Sequence, residues 1–214
     1  MMTENDFPVP APTDAKPKGS AAYFIEVAKS QVGYIEGPKD NETMYGKWSG
    51  ANFQPWCGSY VNWVAEQAGI KIPRTVYTPA GAAAFKKAGQ WFDAQIADPE
   101  PGDIAYFNFP GVTGICHVGI VAVDNEDGTI ICYEGNTTGD GKKGSQRNGG
   151  EAAKKLRAYK KNKAGVLVFV VGFGRPNFKP SVGKTSEPAK SAAPTAKSSA
   201  KKKKTCSSCG QEIK

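Results

Sequence analysis

Histidine is almost absent from this 214-residue chain, which holds one, His117. A reaction that needs an imidazole must use His117 or do without it. Apolar runs are short as well. None approaches the roughly 18 residues of a membrane-crossing helix, so no span is expected. The opening stretch MMTENDFPVPAPTDAKPKGS lacks an apolar centre and carries acids early, unlike a secretory signal or a transit peptide. The expectation is synthesis in a cytoplasm, with exit by another route if the protein acts outside. The cysteines, Cys57, Cys116, Cys132, Cys206 and Cys209, are few and odd in number. That argues against a complete disulfide framework and fits a reducing compartment.

What is present divides by composition. Residues 179–214 hold nine Lys against two Glu, a net of +7, whereas residues 1–178 hold 19 Lys and Arg against 18 acids, a net of +1. Attraction to anionic polymers therefore belongs to the tail and not to the body. The tail is rich in Pro, Ala, Ser and Lys and offers nothing to bury, so it reads as a disordered segment. Residues 1–19 are polar and Pro-rich and read as a flexible leader. The folded domain is then residues 20–178, long enough to bury roughly 70% of its unfolded-chain surface.

Within that domain Ser20 is placed to cap a helix whose apolar positions Phe24, Val27, Ala28 and Val32 recur at helical spacing. A second helix starts at Cys57, presents Tyr60, Val61, Val64 and Ala68, and stops at Gly69. A third begins near Pro79. Beyond the turn at Pro101 and Gly102 the pattern changes to β-branched and aromatic segments, DIAYFNF, CHVGIVAVD, TIICYEG and VLVFVVGFG. Helices followed by strands predict an α+β fold, with the helices packed on a mostly antiparallel sheet.

The chemistry centres on FQPWCGSYVNW. A thiol at the start of a helix faces the positive end of the macrodipole and the unpaired N–H groups of the first turn, which favour thiolate. Most cysteines are inert small side chains, and a nucleophile needs a base beside it. His117 is the one candidate. If Asp124 pairs with Thr129 across the NEDG turn, His117 falls opposite Asn136, with Glu134 two residues along the same face. Either polar side chain is then placed to orient the imidazole, as the third member of a nucleophile–base site does.

The order PWCGSYVNW, PGDIAYF, HVGIV, YEGNT resembles the CHAP family of cysteine, histidine-dependent amidohydrolases and peptidases, within the papain-like and NlpC/P60-like group. The resemblance covers roughly residues 25–175. The stretches GSQRNGG and GFGRP further resemble CHAP-type endolysins of phages infecting Gram-positive, especially actinobacterial, hosts. It implies a papain-like fold and hydrolysis of peptidoglycan, as an N-acetylmuramoyl-L-alanine amidase or an endopeptidase. Carried over, Cys57 matches the nucleophile, His117 the general base, Glu134 the acidic orienter and Asn136 the fourth polar member. No cofactor is required for such acyl transfer, and the protein is expected to act as a monomer.

Other signals are weaker. The Cys57 backbone N–H and Gln54 are candidates to stabilise an oxyanion. Of the four tryptophans, Trp56 is the one expected near the site. Asp40, Asn41 and Glu42 are oxygen-bearing residues of the kind calcium takes, though the stretch lacks alternating Asp-x-Asp density and reads more readily as a solvated helix cap or turn. The ending TCSSCGQEIK has a CxxC knuckle but no second pair of ligands for a closed zinc site. The lysine run reads most simply as a solvated flexible segment, and its functional reading is a tether to anionic wall polymers or nucleic acid. A rival reading makes the chain a binding protein for nucleic acid or another anionic polymer, using that tail. Another is an intracellular thiol peptidase on the same fold.

Overall fold

The structure is a computed structural model and describes residues 6–139 and 141–179. The expected tail beyond residue 179, including the lysine run and the CxxC knuckle, lies outside the described residues. Among the described residues four helices come first: α1 (Ala21–Ser30), α2 (Met44–Ser49), α3 (Cys57–Ala68) and α4 (Thr78–Lys87). Six strands follow: β1 (Trp91–Asp93), β2 (Ile104–Phe107), β3 (His117–Asp124), β4 (Thr129–Thr137), β5 (Glu151–Ala158) and β6 (Val170–Gly174). The strands form one antiparallel sheet in the order β1-β6-β2-β3-β4-β5.

Helix boundaries follow local chemistry. Ser20 Oγ accepts from the Tyr23 N–H at 3.1 Å, satisfying one orphan donor of α1. Tyr23, Phe24, Val27 and Ala28 form the buried stripe of α1, while Val32 lies past its end and is exposed. Gly69 closes α3 in the left-handed region, at φ 71°.

Strand alternation gives the sheet two faces. Ile104, Tyr106, Val118, Ile120 and Tyr133 join the helices in one core. Ala105, Phe107, Val121, Ile130, Cys132 and Phe173 build a second cluster. By the two-residue period, His117, Glu134 and Arg157 belong to the second face.

The hairpin between β3 and β4 departs from expectation at its turn and recovers at the site. Asp124 pairs with Ile130 and not with Thr129. A register shift between Val121 and Val123 then restores the expected pairing, Val121 with Cys132 and Ile120 with Tyr133. A bulge absorbs one residue, so the side chains near His117 keep their predicted face.

Two motifs far apart in sequence meet. Arg175 of the GFGRP stretch donates to both oxygens of buried Asp103, each at 2.8 Å, tying the end of β6 to the start of β2. Residues 6–19, expected as a flexible leader, instead lie against the domain. Phe7 packs edge-on to Tyr34 at 5.5 Å, the Tyr23 hydroxyl donates to Pro10 O at 2.7 Å, and Lys16 pairs with Glu26 at 2.6 Å. Phe7 and Val9 supply enough apolar surface to hold a segment whose average composition is polar. At the other end Phe178 packs on Phe24, and the Lys179 N–H donates to Gly19 O at 2.8 Å.

Candidate active site

Cys57 is the first residue of α3, where intrahelical bonding leaves backbone N–H groups free. Its side chain is almost wholly buried, yet it forms part of the lining of a cleft of about 450 Å³. Gly135 lets β4 come close to this helix start, since a Cβ there would lie 2.6 Å from Tyr60 Cβ and 2.8 Å from the Trp56 ring.

His117 opens β3 and is fully buried. Its Nε2 lies 2.9 Å from Glu134 Oε2. Nδ1 is buried without a hydrogen bond of ordinary geometry, and Cys57 is the group whose charge and hydrogen-bonding reach the ring. Phe107 and Phe109 each sit 5.5 Å from the imidazole centroid and keep it dry. Burial alone lowers the His117 pKa. Cys57, through charge and hydrogen bonding, and then Glu134 overcome that effect and raise it to about 9. The imidazole is therefore held as a cation, with an acceptor on one nitrogen and a sulfur near the other.

Glu134 has a partner that sequence reasoning did not find. Arg157, on β5, donates from Nε to Oε1 at 2.7 Å and from Nη2 to Oε2 at 2.5 Å. Burial pushes the Glu134 carboxyl up, but the Arg157 charge and hydrogen bonds, followed by those of His117, bring it down to about 2. Arg157 also lies over the rings of Phe107 and Phe109, at 5.6 and 5.3 Å to their centroids. A fork-to-carboxylate pair fixes the orientation of Glu134, and through it the ring of His117. Gly119 leaves the space for this, since a Cβ there would lie 2.6 Å from Glu134 Cγ. The signal in EAAKKLRA was an inverted alternation. Lys155 and Arg157 are buried while Lys154 and Leu156 are exposed, so a strand with its charges inward did not register as a strand.

Asn136 does not meet the imidazole as facing-pair arithmetic expected. Its φ of 55° turns it out of the ladder, where the β4–β5 register shifts between Glu134 and Thr137. The side chain instead donates to Asn41 Oδ1 and Asn148 Oδ1, both at 3.0 Å, and accepts from the Gly150 N–H at 3.2 Å. It joins the loop after β4 to the loop before α2.

The remaining expectations divide. Gln54 lines the cleft together with Cys57. Trp56 does not line it. The ring is fully buried, stacks on Tyr45 at 5.4 Å and donates from Nε1 to Glu36 Oε2 at 2.9 Å. A large apolar ring is better accommodated in the aromatic core than at the thiol's open side. Among Asp40, Asn41 and Glu42, the Asn41 oxygen is engaged by Asn136, Asp40 accepts from Asn41 Nδ2 at 2.9 Å, and Glu42 faces Lys47 at 3.9 Å. Among the described residues, no three His, Cys, Asp or Glu side chains converge as a metal site. Cys132 is buried, and burial raises its thiol pKa well above the usual value. Cys116 lines the cleft and accepts from the Phe109 N–H at 3.3 Å.

Residues 48–136 match the family model described as CHAP domain. The match contains Cys57, His117, Glu134 and Asn136, and stops short of Arg157. Among solved structures, the chain is similar to an NlpC/P60 family protein from Bacillus cereus ATCC 10987, with 17% identity and a TM-score of 0.39. That alignment covers 82% of this chain, which spans 43% of the other protein's length. No curated protein matches.

Proposed function

We propose that this chain, a CHAP-type amidohydrolase by its matched segment, hydrolyses amide bonds of peptidoglycan through Cys57. The observation that carries the reading is the buried series Arg157, Glu134, His117, Cys57, which ends at a cleft. In such a series the thiolate attacks the amide carbonyl, and the bond from sulfur to carbon forms as the carbonyl oxygen takes the negative charge. The Cys57 backbone N–H and Gln54, at the cleft wall, would receive that oxyanion. His117 gives its proton to the leaving amine as the C–N bond breaks. Water then attacks the thioester, with His117 taking its proton and returning the sulfur as thiolate. Glu134 stabilises the imidazolium without itself accepting a proton.

The substrate is proposed to be the wall of a Gram-positive, especially actinobacterial, host, with the protein reaching it at phage-mediated lysis. The cationic residues beyond the described structure would add attraction to anionic wall polymers. Whether the bond is the muramoyl–alanine amide or one within the peptides is decided by labelling the amino termini that appear when purified walls are treated. New alanine termini at the sugar-proximal end identify an amidase, and any other new terminus an endopeptidase. Walls that gain no amino termini would overturn the proposal.

A further inference from the structure

The cleft at Cys57 is walled largely by apolar side chains, Val76, Tyr77, Pro79, Val112 and Ile115 among them. One charged residue among the described residues lines it, Arg147. Arg147 stands in the loop between β4 and β5, and its neighbours there are all tied to the site strands. Ser145 O accepts from Thr138 Oγ1 at 2.7 Å, and Ser145 Oγ accepts from the Arg147 and Asn148 N–H groups at 3.3 and 3.0 Å. Gln146 Oε1 accepts from Arg157 Nη1 at 3.0 Å, and Asn148 Oδ1 from Asn136 Nδ2 at 3.0 Å. Arg157, which grips Glu134, and Asn136 thus hold the loop on either side of Arg147. The guanidinium itself makes no hydrogen bond or ion pair with a described residue.

A cation presented into an apolar cleft by an anchored loop, with no acid among the lining residues, is matched by an anionic ligand. A guanidinium suits a planar carboxylate, which it can grip with two parallel N–H donors. We infer that Arg147 selects substrates by binding a free carboxylate of the peptide whose amide lies at Cys57. This rests on the peptidoglycan reading above and narrows it to peptides that carry an unamidated carboxylate close to the bond attacked. The apolar walls then take the aliphatic parts of the same peptide, and Arg147 sets its direction along the cleft.

The test uses the full chain and disaccharide peptides freed from purified peptidoglycan by a glycosidase, with their carboxylates either free or converted to methyl amides. Binding is measured on Cys57→Ala protein, with and without Arg147→Gln, and hydrolysis on protein that keeps Cys57. With Arg147 the free acid should bind about tenfold more tightly than the amide, as expected for one exposed charge-assisted contact. Arg147→Gln should remove that preference by weakening the acid alone, and Arg147→Lys should restore part of it. A preference for the acid that is the same with and without Arg147→Gln would overturn the inference, as would failure of both peptides to bind. Hydrolysis that ignores the carboxylate overturns the role of Arg147 and leaves the hydrolase reading intact. Arg147-dependent binding without hydrolysis keeps the role and overturns the hydrolase reading.

Discussion

Arg157 grips both carboxylate oxygens of Glu134, at 2.7 and 2.5 Å, and the oxygen it shares with His117 lies 2.9 Å from Nε2. Two buried residues on neighbouring strands thus decide which way the imidazole points and what charge it carries. Removing one partner of such a pair strands the other's charge in a dry site. Arg157→Met should therefore cost about 3–5 kcal/mol of stability by urea denaturation. It should also lower kcat more than it raises KM, since the loss falls on the imidazolium and not on substrate contacts. Arg157→Lys keeps the charge without the fork and should recover part of both. An unchanged kcat in Arg157→Met would remove the residue from the account.

The pH dependence follows from the two shifted groups. His117 is raised from 6.5 to about 9, so its contribution to stability is complete below pH 6.5 and lost as pH rises through about 9. Glu134 is lowered from 4.5 to about 2, so its contribution is present above pH 4.5 and lost as pH falls through about 2. Stability should form a plateau between those limits. The kcat/KM profile should fall on its alkaline side near pH 9, where His117 loses the proton it gives to the leaving amine. Glu134→Gln removes a raising influence and should move that limb to lower pH. A limb that stays in place would mean that another group sets it.

Glu134 and Asn136 make a second comparison. Asn136 bonds to Asn41, Asn148 and the Gly150 N–H, so Asn136→Ala should loosen the loop after β4 and lower stability by roughly 1–3 kcal/mol for the unsatisfied groups left behind. Its alkaline limb should stay where it is in the parent protein. Glu134→Gln should be the more damaging to kcat. The opposite ranking in kinetic assays would return the orienting role to Asn136.

Much of this arrangement is legible in the sequence because short-range chemistry writes it there. Ser20 and Gly69 mark helix ends by capping, and the position of Cys57 at a helix start follows from the apolar spacing behind it. The hairpin register at Val121 and Ile120 is also recovered, although by a bulge that compensates a slip at the turn. What is not legible depends on long-range pairing. Arg157 sits in a strand whose buried face is polar, so hydrophobic periodicity points the wrong way. Asn136 leaves the ladder through a left-handed backbone that no pattern of side chains announces. Trp56 looks like a groove residue beside a cysteine, and only the packing of Tyr34 and Tyr45 around it reveals a core residue.

Charge placement gives a prediction about the residues beyond the described structure. Residues 180–214 hold eight Lys against two Glu, so their removal takes away +6 of the chain's +8. The shortened protein should hydrolyse soluble wall fragments at the parent rate and act more slowly on intact walls at low salt. Added salt should narrow the difference, as the Debye length falls from about 30 Å at 0.01 M to about 8 Å at physiological ionic strength. Rates on intact walls that match at every salt would give these residues no part in wall attraction.

The central claim, that Cys57 supplied with a proton donor by His117 cleaves wall amides, is tested most directly by mass spectrometry of fragments released from purified peptidoglycan. The parent protein should release fragments with intact sugar linkages and one added water at an amide, giving a new amine and a new carboxyl. Cys57→Ala protein, folded by circular dichroism, should release none. Release of the same fragments by Cys57→Ala, or cleavage by the parent protein at glycosidic bonds alone, would contradict the account.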